Sequence, residues 1–435
     1  MKSITYYFAV VALTTCVLSA QQQVRTLSQL KEAAERNYEQ LQMNALAVEQ
    51  AKRTTDAAAA AMLPRIDLTA SYSHASEVGK IELQIPGLIS RTMQFGDGNI
   101  YDAALTLSYP VFNGFRLSIN KMIQEEQERI AQQALAGSRT EVRNLVSLNY
   151  NAALAAKRGT TIIAEQIDYL QELLRVRRAQ IDQGQAISFD TLQLSTREKQ
   201  LEVERAQIDL LYRKAMLQLR VLCGIKEAFA ISDETEAITH FDDISVDSLI
   251  TYAISHRSDF LQITSSLNIA NYAADAARGA YYPSIVAQAA YRYGRPGVDQ
   301  LKNEWMNYYT AGVRLEWNLF SFGADKANVE KQSIEVQKVD LRFTMMTKQL
   351  KAQLEMITSE CEVKKQTLRL LDAQIAQEVA KQKLIDARLR QGIVTTIEML
   401  EAETSKTSAL LRRAQTEIEY NMKLIELATA IGHTL

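Results

Sequence analysis

Proline and glycine are scarce in this chain, 5 and 16 among 435 residues. So few breakers over that length exclude a many-turned β protein and favour long helices. A charge of one sign is missing too: 49 Lys and Arg stand against 51 Asp and Glu. That balance leaves no footprint for nucleic acid and no polybasic face for a membrane surface. Cysteine, at three residues, is too sparse for a disulfide framework. The histidines His74, His240, His256 and His433 show no metal-ligand spacing with each other or with Cys223 and Cys361. With neither a phosphate-cradling glycine loop nor a nucleophile elbow, no cofactor and no catalysis are expected. Beyond the first twenty residues, no apolar run reaches the roughly 18 that a membrane-spanning helix needs. A membrane crossing by this chain therefore has to be a β-barrel.

What is present begins with a secretory pattern. Lys2, an apolar run from Tyr6 to Leu18, and small Ser19 and Ala20 before a Gln-rich start predict a signal segment over 1–20. All five prolines fall in two windows: Pro64, Pro86 and Pro110 in the first, Pro283 and Pro296 in the second. Outside them, Phe115 to Gln183 is interrupted only by Gly137 and Gly159, and Ala324 to Gln391 by neither Gly nor Pro. Each predicts a helix of about 100 Å at 1.5 Å per residue.

The second half repeats the first. At an offset of 208, Phe112 matches Phe320, Gln183-Gly184 matches Gln391-Gly392, Arg205-Ala206-Gln207 matches Arg413-Ala414-Gln415, and Gly224 matches Gly432. At an offset of 219, Leu30, Ala34, Asp56, Pro64, Ile66 and Tyr72 match Leu249, Ala253, Asp275, Pro283, Ile285 and Tyr291. The chain is an internal duplication with extra loop sequence between Pro64 and Phe112. Ser188–Cys223 with Val246–Tyr282, and Thr396–Ile431 with Ser28–Met62, are half-length helices that end to end match the long ones. The expected division is a signal segment 1–20, a first repeat 21–224, an acidic mid-level belt 225–245 and a second repeat 246–435. Narrow apolar stripes such as Val336, Val339, Phe343, Met346, Leu350, Leu354, Ile357 and Cys361 suit coiled-coil seams.

The proline windows carry period two instead. Ile66, Leu68, Ala70 and Tyr72 alternate with polar residues. So do Ala103 to Val111, Ile285 to Tyr293, and Ala311 to Leu319. Four strands of this length span a bilayer when tilted, and Trp305, Trp317 and many tyrosines lie in or beside them, as interfacial girdles require.

The order, spacing and duplication of LPRIDLTASY, YPSIVAQAAY, YPVFNGF, WNLFSFG, QGQAISFDTLQL and QGIVTTIEMLEAE resemble the TolC family of outer-membrane efflux proteins over the whole mature chain. The resemblance implies a mainly α fold with a transmembrane β portion: an α-barrel tunnel of long coiled-coil helices, and four strands per chain in a twelve-stranded barrel of a homotrimer. It further implies a passive export channel, set in outer-membrane lipid of a Gram-negative bacterium, for tripartite efflux or type I secretion. The partners implied are a periplasmic adaptor and an inner-membrane RND or ABC-type transporter. Arg314, Glu316 and Asn318 would line the barrel lumen. Gly184 and Gly392 would mark the adaptor-docking turns, and Asp190, Glu398 and Glu401 a periplasmic constriction. Thr395 and Glu398 also fit a capping box, which needs no gating role. Where some members lock the tip with Arg and Tyr, this sequence has Val394 and Leu389. The competing expectation is an exported coiled-coil envelope scaffold without a channel.

Overall fold

The structure is a computed structural model that describes residues 23–84, 90–94, 98–184, 187–233, 245–299, 302–389 and 393–433; the expected signal segment lies outside them. Its elements run β1 (Val24–Arg25), α1 (Leu27–Asn37), α2 (Glu39–Ala60), β2 (Arg65–His74), β3 (Lys80–Gln84), β4 (Ser90–Gln94), β5 (Asn99–Asn113), α3 (Arg116–Asp182), α4 (Ser188–Cys223), β6 (Ala230–Ile231), α5 (Val246–His256), α6 (Ser258–Arg278), a 3-10 turn (Gly279–Tyr281), β7 (Ser284–Arg295), β8 (Met306–Glu316), α7 (Ala324–Leu389) and α8 (Thr396–Ala430). The long helices α3 and α7 have 67 and 66 residues, about 100 Å each.

Helix neighbours fix the architecture. Towards the strands the helices lie side by side in the order α2, α3, α6, α7; away from the strands the order is α4, α3, α8, α7. In both halves α7 is an edge, opposite α2 or α4. Narrow seams hold this layer together: Leu350, Leu354 and Ile357 of the expected α7 stripe are at most 2% exposed, and they pack with Leu249, Phe260 and Leu427. The mirror cluster in the other repeat joins Leu30, Val146, Leu154 and Leu219. Leu30 and Ala34, with their matches Leu249 and Ala253, are all at most 3% exposed.

The expected helix Ser28–Met62 is instead broken at Tyr38, and Val246–Tyr282 at Arg257, then again at the 3-10 turn. Both break residues are extended, with φ −74° and ψ 115° at Tyr38 and φ −71° and ψ 129° at Arg257. Neither break holds a Gly or Pro; the cause is tertiary. The C-terminus of α4 abuts the first of these points and that of α8 the second, so Ser188–Cys223 meets Ser28–Met62 and Thr396–Ile431 meets Val246–Tyr282, the reverse of the end-to-end pairing expected from lengths; terminal carbonyls need donors. Asn37 Nδ2 donates to the Cys223 carbonyl and Arg257 Nη1 to the Ala430 carbonyl, each at 3.0 Å. Gly224 and Gly432 turn left-handed there, with φ 64° and 74°. A Cβ on Gly224 would sit 2.9 Å from Asn37 Cβ, and one on Gly432 2.9 Å from the Arg257 nitrogen.

Within the expected belt 225–245, β6 pairs in parallel with β1 from the start of the chain; residues 234–244 lie outside the described residues. The four expected strands form one antiparallel sheet in the order β2-β5-β7-β8. Sequence between Pro64 and Phe112 that was expected as loop supplies a separate hairpin, β3 with β4. One further correction concerns β8, which ends at Glu316, so Trp317, Asn318 and Leu319 are not part of it.

Candidate functional site

Strand register sorts the sheet's side chains onto two faces. On one, Ile66, Leu107, Ala289 and Ala311 lie in a row, and Leu68, Leu105, Tyr291 and Tyr309 in the next. This face carries leucines at 75% (Leu68) and 61% (Leu315) exposure, which water would not tolerate as a contiguous patch. Aromatic groups close both ends. Tyr101 stacks within 5.4 Å of Tyr72 and Trp305, with Tyr293 beyond, and Phe112, Phe115 and Tyr282 meet edge-on at the helical end. An apolar band between two aromatic girdles is the lipid-facing surface of a membrane barrel.

The other face is polar: Asp67, Thr106 and Thr310 share a row, as do Thr69, Arg292 and Tyr308. Arg314 and Glu316 lie on this face, exposed, whereas Asn318 lies beyond the strand end. The periodicity pointed to those residues but missed Asp102, which receives Arg292 Nη1 at 3.2 Å on the same face. Arg65 and Asp67 pair there at 2.7 Å. Arg65, Arg292 and Arg314 are therefore matched by Asp67, Asp102 and Glu316.

At the far end, the close of α3 and α7 and the start of α4 and α8 share one cluster of Leu173, Leu174, Leu194, Leu389, Val394 and Met399. Val394 and Leu389, the two apolar departures, are thus core residues at 6% and 8% exposure. Gly184 has φ 73° and nothing within 4 Å of a would-be Cβ, so the turn is open to solvent. Gly392 lies outside the described residues. Asp190 accepts from the Ile187 nitrogen at 3.4 Å, an N-terminal role on α4. Glu398 forms the expected capping box with Thr395, accepting from its nitrogen and hydroxyl at 2.9 Å each. Those bonds, the backbone one foremost, hold its carboxyl below the usual range. The cap is accordingly complete above the ordinary carboxylate pKa and lost as pH falls through the depressed folded value. Glu401 is exposed one turn further on.

Two buried cations near this end escaped the sequence reading. Arg197 of α4, 13% exposed, pairs through Nε with fully buried Glu403 of α8 at 2.9 Å, and Thr407 donates to the same carboxylate at 2.8 Å. Arg177 of α3 donates to the Val394 carbonyl at 2.8 Å and to Gln180 at 2.9 Å. Beside them Tyr169 donates to Asp386 at 2.9 Å; burial, with lesser help from Asp386, pushes its phenol up to about 12. The duplication held a clue to the ion pair. At an offset of 208, Arg197 matches Ser405 and Glu403 matches Ser195, so the two charges occur once each, where the repeat departs from itself.

A sheet with one lipid face and one charged face, set on a layer of ~100 Å helices joined by narrow seams, defines a membrane channel component. The chain belongs to the outer membrane efflux protein family, whose model matches residues 30–225 and 249–433. Among solved structures it is similar to CusC, with 16% identity, a TM-score of 0.79, and coverage of 94% of this chain and 92% of that one. CmeC of Campylobacter jejuni matches with 16% identity, a TM-score of 0.74, and coverage of 93% and 85%. VceC of Vibrio cholerae matches with 14% identity, a TM-score of 0.75, and coverage of 94% and 96%. No curated protein matches the sequence. The chain is thus an outer-membrane efflux protein with the fold of solved outer-membrane channels, and not an enzyme.

Proposed function

We propose that three copies close into a passive export duct, embedded in outer-membrane lipid and coupled through a periplasmic adaptor to an inner-membrane RND or ABC-type transporter. The observation that carries this reading is the four-stranded sheet, apolar on one side and, among the described residues, unpaired along the outer edges of β2 and β8. Bilayers do not accept open sheet edges. Four strands cannot close, eight fill their interior with side chains, and twelve leave an aqueous lumen. Each copy contributes two repeats, 21–224 and 246–435, either side of the belt 225–245.

In this duct Arg314 and Glu316 line the lumen, with Asp102 and Arg292 beside them. Because the strand face is charge-balanced, it exerts little net selection, and Asp190, Glu398 and Glu401 at the tip set the preference for cations. Planar-bilayer recording of purified protein tests both points. Discrete, long-lived conductance steps with cation preference are expected, and protein that folds and inserts without conductance would instead support an envelope scaffold. Glu401→Gln removes up to three charges without touching the helix cap, so a smaller cation-over-anion permeability ratio and weaker block by divalent cations from the tip side are expected. Unchanged selectivity in that variant would make Glu401 an ordinary solvated residue.

Gly184 and Gly392 are the adaptor-docking turns. Isoleucine at Gly184 forces a β-branched residue into the left-handed region, at about 1–2 kcal/mol, and places bulk on an open surface. Export, read as sensitivity of cells to transported toxic compounds, is expected to fail while assembly and insertion persist. Normal export by that variant and by Gly392→Ile would remove the turns from the mechanism.

A further inference from the structure

We propose that each copy binds a neutral saccharide chain in a recess at the joint between α6 and α8. The recess, of about 1120 Å³, is floored by α3 from Gln133 to Leu148 and walled by the start of α6 and the end of α8. Helix α1 adds Glu35 and α5 adds His256. At one end Ser258 closes onto α3 because Gly137 lies beneath it: a Cβ there would collide with the Ser258 hydroxyl. Small ligands bind in clefts between packed helices where apolar walls carry a few convergent polar groups. Here Ala134, Leu145, Leu148, Met422 and Ile425 supply the apolar wall.

The polar groups are four carboxamides: Gln133 and Asn144 of α3, Gln262 of α6 and Gln353 of α7. All four are half-buried, and none of their side chains has a hydrogen-bond partner among the described residues. Asn144 Nδ2 is sealed from solvent as well. An unpaired buried amide costs about 1–3 kcal/mol, which a hydrogen-bonding guest in the recess recovers. The duplication shows that the architecture does not require the set. At the offsets of 208 and 219 the matching residues are Leu341, Ala352, Met43 and Leu145, every one apolar. Carboxamides from three helices therefore converge at one level of one repeat only.

Charge narrows the ligand. Arg143 pairs with Glu35, Arg257 with Asp259 at 2.6 Å, and Lys423 with Glu426 at 2.8 Å. Arg139 and Glu141, both exposed, are of opposite sign. An ion entering the recess would find each charge already answered or cancelled. A sugar hydroxyl donates and accepts at once, as a carboxamide does, and needs no charge. The polarised C–H bonds on the face of a sugar ring also pack on the negative face of an aromatic ring. His256 provides such a plate: Tyr252 stacks on it with ring centres 3.9 Å apart and planes 8° from parallel. Peptides are held along a sheet edge or in a continuous apolar trough, whereas this recess is walled by helices whose backbone groups are already paired. The inference rests on the channel reading for the source of the saccharide. That reading places the recess in the periplasm, where N-acetylated wall glycan and neutral glucans share this chemistry.

Titration calorimetry of the full-length protein, in a detergent without a sugar head group, tests the site with tetra-N-acetylchitotetraose and with cellotetraose. Saturable binding is expected; binding of the first alone assigns the site to wall glycan, and binding of cellotetraose assigns it to neutral glucans. Raising NaCl from ~0.05 to ~1 M is expected to leave the affinity within about twofold, because no charge is exchanged. Gln133→Leu with Gln262→Met installs the residues that the other repeat carries and is expected to weaken binding about tenfold or more. Tyr252→Ala, a change at an exposed residue, is expected to weaken it too, and wild-type conductance in planar bilayers shows that each variant has assembled. Protein that conducts but binds neither saccharide overturns the site and leaves the channel reading standing. Binding of tetra-alanine in place of the saccharides, affinity that collapses with salt, or conducting variants that bind as wild type does also overturn the site. Saccharide binding by protein that inserts without conductance keeps the site and removes the channel reading.

Discussion

Leu315→Arg is expected to lower the yield of stable trimers in the outer membrane, while Arg314→Leu assembles normally. The two residues are adjacent on β8, pair with Ile285 and Val286 of β7, and point to opposite faces. Leu315 belongs to the lipid face, in the row of Ile285 and Phe112 at the girdle nearest the helices; a charge there costs less than the roughly 2–4 kcal/mol of the bilayer midplane, but a closed trimer bears that cost three times. Arg314 faces the aqueous side, and its replacement removes one charge from a wetted wall. The measurement is the yield of heat-dissociable trimer in outer-membrane fractions. Equal behaviour of the two variants would show that the faces have been assigned the wrong way round.

The second large effect is expected from Arg197→Met. It leaves the Glu403 carboxylate fully buried with Thr407 but without its cation. Breaking a buried pair from one side costs about 3–5 kcal/mol, because the remaining charge is uncompensated. Removing both charges, as Arg197→Met with Glu403→Gln, is expected to recover most of that loss, since an apolar or neutral replacement often matches a buried pair. Thermal unfolding of the detergent-solubilised protein reads both variants. If the double variant unfolds as early as the single one, the loss comes from packing around Arg197 rather than from charge.

Most of the long elements were legible in the sequence because their causes are local. Ser188–Cys223 was read with its bounds, and α3 differs from the expected Phe115–Gln183 by a single residue at each end, since a glycine or a proline window stops each helix. The four strands declared themselves through period two. What escaped has distant causes. The breaks at Tyr38 and Arg257 exist because the ends of α4 and α8 need donors there, a demand made by residues 186 and 173 positions away. The Arg197–Glu403 pair spans 206 positions, and only the mismatch between repeats hinted at it. The strand β8 stops short of Trp317 although the alternation continues, because alternation records which face a residue would take, not whether a partner strand is present to pair with it. At the tip, the capping role of Glu398 was legible from Thr395 three residues before it, a purely local pattern.

The breaks at Tyr38 and Arg257 also make the protein mechanically uneven. Of the four columns in each copy, α3 and α7 are continuous rods, whereas α2 above α4 and α6 above α8 are levers meeting at a joint. Continuous backbone transmits torsion; a joint between separate helices, packed across Leu30 and Leu219 or Phe260 and Leu427 and bridged by the Asn37 or Arg257 side chain, transmits less. Twisting the lower levers about the rods therefore loads the joints before it loads the strands. The end of the helix layer away from the strands is thereby better placed to change its winding, with the sheet keeping its register, than four continuous rods would be.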